Sequence, residues 1–129
     1  MDDKKIVITG ANGQVGRALQ KIYPQALALD REQLDITDQK AINEFNWDNT
    51  KVIINAAAWT DVDGAENPSN YDLVKAVNVD ATRHLAKAAS QHDLTFVTFS
   101  SDYVFDGSQP IHNEDETFSP LNIYGKTKA

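Results

Sequence analysis

The chain has 129 residues, room for one domain with a substantial core, and its hydrophobic fraction of 41% is ordinary for a globular protein. A formal net charge of −7 argues against a nucleic-acid or anionic-membrane surface, which needs clustered lysine and arginine. The absence of cysteine excludes disulfides, thiolate metal sites and a thiol nucleophile, and no apolar run approaches the roughly 20 residues that span a bilayer.

The charged start, Met1-Asp2-Asp3-Lys4-Lys5, leads straight into a strand, so no signal peptide is expected and the cytoplasm is the default location. A β-branched run then ends at Thr9, glycines follow at positions 10, 13 and 16, and Val15, Ala18, Leu19 and Ile22 step by three or four. That pattern is a strand, a tight turn and a helix in one sweep. Such a junction aims unpaired backbone N–H groups and a helix dipole at one point, which suits a pyrophosphate. Gly10 would allow the turn, Gly13 would let the backbone approach the ligand, and Gly16 would let the helix pack close to the sheet. The competing reading, an Asn12-Gly13 hairpin, needs a second alternating strand, and Gln14–Tyr23 has helical spacing instead.

A second strand, Gln25–Asp30, ends in an acid 20 positions after Gly10, where a carboxylate would hydrogen-bond the adenosine ribose. An acid there favours NAD, whereas the adjacent Arg31 could receive the 2′-phosphate of NADP, so the choice stays open. Asp35 or Thr37 is expected to cap the helix that carries Ala41, Ile42 and Phe45. Asp35 and Ile36 could also flank an adenine ring. Lys51–Asn55 reads as a buried parallel strand, and Ala56-Ala57-Ala58 after it leave room for a ligand or for tight helix packing.

Asp61, Asp63 and Glu66 crowd one loop, and solvation is a better reading of them than a metal site, so no metal ligands are assigned. Asn67-Pro68 opens a helix whose apolar stripe is Val74, Val77, Ala81, Leu85 and Ala88, with Asn78 beside it as a structural hydrogen-bonder. A fourth strand, Leu94–Phe99, stops at Ser100-Ser101, which places Ser101 where the ligand crevice of such a sheet lies. His84, His92 and His112 read as surface residues. A polar loop of about fifteen residues leads to Tyr124 and Lys128, four apart and on one face if a helix starts there. A nearby ammonium favours the phenolate of a tyrosine, so that the pair could give a proton to a carbonyl while a hydride arrives at its carbon. The elements together are expected to form one α/β domain over residues 1–129. It would be a Rossmann-type doubly wound parallel sheet of about four strands in the order 3-2-1-4, with helices on both faces.

Four segments carry a resemblance: Gly10–Gly16, Asn55–Glu66, Ser100–Gly107 and Ser119–Lys128. The chain resembles the extended short-chain dehydrogenase/reductase superfamily, and within it the sugar-nucleotide reductases. The resemblance implies a site of Ser101, Tyr124 and Lys128, with Ser101 on the substrate carbonyl, Tyr124 as proton donor and Lys128 on the nicotinamide ribose. It also implies NADH- or NADPH-dependent reduction of the C4 carbonyl of dTDP-4-dehydro-L-rhamnose. By the same likeness Gly10, Gly13, Gln14 and Val15 would contact the pyrophosphate. Asp30, Arg31, Asp35 and Ile36 would lie at the adenosine end, Ala56, Ala57 and Ala58 at the middle of the coenzyme, and Tyr103 against the substrate. Ser101 stands where the family commonly has threonine.

Members continue well past the Tyr-Lys motif, so the chain is expected to be a truncated piece that binds a dinucleotide weakly and is inactive. Lys128, next to last, is expected to fray. Two other readings stay open, an epimerase or dehydratase of the same superfamily and a non-catalytic module such as methionine adenosyltransferase β subunit. A homodimer of the full-length protein also stays open.

Overall fold

The computed structural model describes residues 2–129, so Met1 of the charged start lies outside the described residues. The strands β1 (Ile6–Thr9), β2 (Leu27–Leu29), β3 (Val52–Asn55) and β4 (Thr95–Thr98) form one wholly parallel sheet. The helices are α1 (Gln14–Ile22), α2 (Gln39–Glu44), α3 (Val62–Ala65), α4 (Tyr71–Lys75), α5 (Ala81–Gln91) and α6 (Ile123–Lys128). A π turn over Ala76–Asp80 joins α4 to α5 without a break.

Alternate residues of the strands feed two cores. Ile6, Ile8, Val52 and Ile54 face Leu19 and Tyr23 of the α1 side, while Val7, Leu29 and Ile53 face Ile42, Trp47, Leu85 and Ala88. Helices therefore cover both faces of the sheet, as expected for a doubly wound fold. A third, smaller cluster joins Ala65, Val74 and Tyr124.

The strand order is β2-β1-β3-β4, not the expected 3-2-1-4. The reason lies in burial. All four residues of β3 are buried, which demands neighbours on both sides, whereas Leu27 of β2 is exposed and suits an edge. After β2 the chain passes through α2 and crosses back to the far side of β1. The direction of winding thus reverses at β1, and a crevice opens above the carboxyl ends of β1 and β3.

Candidate coenzyme groove and catalytic cluster

The turn after β1 is built by three close approaches. Gly10 has φ +74°, and a Cβ there would meet the Ala57 nitrogen at 2.5 Å. A Cβ on Gly16 would overlap the Gly10 carbonyl, so Gly16 lets α1 sit on the turn itself rather than only on the sheet. Gln20 Nε2 donates to the Ala11 carbonyl at 2.7 Å and fixes the loop from behind. Gly13 differs from both. Its φ is −73°, and the nearest atom to an added Cβ is the Gly10 oxygen at an ordinary 3.4 Å. At the head of α1 it supplies no side-chain cap. The other helices that start from a loop are each capped by a side chain, with Asp38 on α2, Asp61 on α3 and Asn122 on α6. The first-turn residues Gln14 and Val15 of α1 line a groove instead.

That groove has a volume of about 500 Å³, and all eleven residues singled out for the coenzyme line it: Gly10, Gly13, Gln14, Val15, Asp30, Arg31, Asp35, Ile36, Ala56, Ala57 and Ala58. Sequence reasoning missed Asn12, Leu34, Thr37, Thr60 and Val77, which line it as well. Asn12 had a legible signal, an amide inside the glycine turn, and its Nδ2 donates to Asp30 Oδ2 at 3.1 Å. Val77 was assigned to the buried stripe. The structure buries Asn78 in that stripe and turns Val77 to the groove.

At the β2 end, Asp30 Oδ1 accepts from the backbone amides of Glu32 and Gln33, holding its own turn. Asp35 Oδ1 accepts from the Thr37 hydroxyl at 2.6 Å and the Thr37 amide at 2.9 Å, while its Oδ2 pairs with Arg31 Nε at 3.3 Å. The Thr37 hydroxyl, above all, holds the Asp35 carboxyl below the usual carboxylate range. Neither expected residue caps α2. Asp38 does, accepting from the Lys40 and Ala41 amides, because Asp35 and Thr37 are occupied with each other. At the switch point Thr9 Oγ1 donates to Asn55 Oδ1 at 2.7 Å, and the same oxygen takes the Ala57 amide, which aims the alanine turn.

The second constellation follows β4. Ser101 Oγ accepts from the Tyr103 amide and starts a 3-10 turn over Asp102–Val104. The Tyr103 ring meets the Tyr124 ring edge-on at 5.6 Å. Gly125 lets α6 approach this turn, since a Cβ there would overlap the Tyr103 carbonyl. Asn122 caps α6 through the Gly125 amide at 2.7 Å, and Glu66 Oε1 takes the Ile123 amide at 2.7 Å. Lys128 does not fray. Its Nζ donates to the Phe99 carbonyl at 2.6 Å, and burial lowers its pKa from the ordinary lysine value. Six residues make a helix here because tertiary contacts hold them, which helix propagation alone would not do.

Ser101, Tyr124 and Lys128 lie outside the groove, one strand farther along the sheet. Tyr103 lines a second cavity of about 440 Å³ beside Phe105 and Asn122. Asn78 bridges the two regions. Its Oδ1 accepts from the Trp59 amide at 2.8 Å, and its Nδ2 donates to Thr127 Oγ1 at 3.0 Å. His112 is not a simple surface residue, because its ring stacks on Phe105 at 3.9 Å and its Nδ1 meets Glu116 at 2.9 Å. No helix among the described residues is long and apolar enough to cross a membrane.

The family model described as the RmlD substrate binding domain matches residues 4–129. The chain belongs to the RmlD substrate-binding domain family. Among curated family relatives, a dTDP-4-dehydrorhamnose reductase from Aggregatibacter actinomycetemcomitans is 41% identical over 97% of this chain and 44% of that protein. Methionine adenosyltransferase 2 subunit beta from Bos taurus is 36% identical over 98% of this chain and 41% of that one. Among solved structures, a Bacillus anthracis dTDP-4-dehydrorhamnose reductase in complex with NADP superposes with a TM-score of 0.87 at 36% identity, covering 95% of this chain and 45% of that one. The RmlD-family chain described here thus spans less than half the length of these relatives.

Proposed function

We propose that this chain is the coenzyme-holding part of a reductase that uses NADH or NADPH to reduce the C4 carbonyl of dTDP-4-dehydro-L-rhamnose to dTDP-L-rhamnose. One observation carries the proposal. The sheet order sets the ends of β2, β1, β3 and β4 side by side, and along them stand Asp30, the glycine turn, the alanine turn and Ser101 in that sequence. Three inter-strand spacings amount to about 14 Å, a span suited to an extended dinucleotide. The fit is specific at the turn, where an uncapped helix start opens onto the groove and a side chain on Gly10 would strike the Ala57 backbone.

In this reading the free amides of Gln14 and Val15 hold the pyrophosphate, and Asp30 takes the adenosine ribose. Ala56, Ala57 and Ala58 keep the middle of the groove low enough for the coenzyme to pass. The bound coenzyme supplies a hydride. Ser101 orients the substrate carbonyl by a hydrogen bond, Tyr124 gives that oxygen a proton, and Lys128 holds the nicotinamide ribose beside them. Tyr103, edge-on to Tyr124, contacts the sugar. A cytoplasmic location and a homodimeric assembly go with this reading. The presence of Ser101, Tyr124 and Lys128 together favours a catalytic protein over a regulatory subunit.

The test is an assay of the intact protein with dTDP-4-dehydrorhamnose and each reduced coenzyme. Tyr124→Phe is expected to lower turnover at least about a hundredfold while coenzyme affinity stays within about twofold. Unchanged turnover would remove Tyr124 from the mechanism.

A further inference from the structure

Resting on that coenzyme reading, we propose that Gln20 is a positioning residue of the glycine turn. Its side-chain amide holds the peptide between Ala11 and Asn12 so that the Asn12 N–H is offered to the ADP half of either coenzyme. Backbone pairing fixes the turn around that peptide. The Gly10 carbonyl accepts from the Gly13 amide at 3.1 Å, and the Ala11 amide donates to the Leu29 carbonyl at 3.1 Å. The Ala11–Asn12 peptide itself has no backbone partner among the described residues. Its carbonyl is taken by Gln20 Nε2 at 2.7 Å, and its N–H meets no acceptor among those residues.

Gln20 is held by its own helix, since Nε2 also donates to the Gly16 carbonyl at 3.1 Å. Both neighbours are carbonyl oxygens, and the two hydrogens of one amide nitrogen match them. The peptide bond is trans, and in a planar trans peptide the C=O and the following N–H point in opposite directions. With the carbonyl drawn onto α1, the Asn12 N–H points off that helix. Asn12 lines the groove, and its Nδ2 donates to Asp30 Oδ2, which steadies the residue from its side-chain end. Rotation of the peptide would exchange the two groups and set a carbonyl oxygen where the ligand's own oxygens need a donor. Gln20 touches no ligand in this arrangement. It prepares the turn before binding, so that the ordering is not left to the bound state.

The probe is ADP, which carries the half shared by both coenzymes and lacks the nicotinamide. It is titrated into the intact protein by calorimetry, with NADH and NADPH alongside. Gln20→Met keeps the length of the side chain and removes the donor. It is expected to weaken all three ligands by one common factor of about ten. In turnover the coenzyme KM should rise by that factor while kcat at saturating coenzyme stays within about twofold, a split that loss of folded protein does not produce. In the unaltered protein the Asn12 amide resonance should shift when ADP is added.

Unchanged ADP affinity in Gln20→Met, or a fall in kcat with KM unmoved, would overturn the proposal while leaving the coenzyme groove intact. So would an Asn12 resonance that ADP leaves in place, a measurement that decides the matter even where the variant does not fold. Failure of the unaltered protein to bind ADP or either coenzyme would instead overturn the groove reading, and this proposal with it.

Discussion

α1 and α6 begin in similar ways and end their similarity at the first turn. Each brings a glycine against a backbone carbonyl, Gly16 onto Gly10 and Gly125 onto Tyr103. At α6 the protein then satisfies the leading amides itself, through Asn122 and Glu66. At α1 it does not, because Gly13 has no side chain to offer and the donors open onto the groove. A helix start finished by its own chain is a structural joint; one left unfinished over a cavity is a binding surface.

Substituting the two carbonyl-contacting glycines should break both starts, with different results. Gly16→Ala and Gly125→Ala are each expected to cost about 1–3 kcal/mol, read from denaturant midpoints, because the new methyl meets backbone that cannot yield. Only Gly16→Ala should also abolish coenzyme binding in a titration. Gly13→Asp gives α1 the cap it lacks, at a backbone conformation and spacing that admit a side chain. Melting should show the free protein stabilised by a few tenths of a kcal/mol, whereas its affinity for NADH should fall at least about tenfold. A gain in stability without loss of affinity would mean that the α1 amides do not hold the diphosphate.

On the α6 side, Asn122→Ala is expected to cost about 1 kcal/mol, with coenzyme affinity nearly unchanged. The smallest effect is the pH dependence of the β2 end. Asp35 has a lowered folded pKa, so its stabilisation is complete above its ordinary value of 3.8 and is lost as pH falls through the lower folded value. Asp35→Asn should therefore lose less stability than the unaltered protein between about pH 5 and pH 2, measured by acid titration of the fold.

Much of this was legible in the sequence because it is local. Apolar runs, β-branched in β1, β3 and β4 but not in β2, marked all four strands within a residue or two at each edge, and the glycine turn with its change of period marked the groove. Strand order was not legible, since a parallel ladder leaves no sequence signal for which neighbour a strand takes. The difference between a fully buried Val52–Asn55 and a partly exposed Leu27–Leu29 decided it. The cap of α2 was placed at Asp35 or Thr37 rather than Asp38, three residues or one residue too early, because all three are competent acceptors and only the turn geometry separates their tasks. The fixing of Lys128 was invisible for a different reason. The contacts that order α6 come from Glu66, 57 positions before Ile123, and from Phe99, 29 positions before Lys128.

The widened turn between α4 and α5 has a mechanical consequence. By seating Asn78 in the interior, it lets a single amide clasp the strand-end loop at Trp59 with one atom and α6, through Thr127, with another. The floor of the groove and the helix bearing Tyr124 are thereby riveted together. Under the proposed function, a coenzyme settling against the alanine turn would press on the loop that this amide ties to the helix bearing Tyr124.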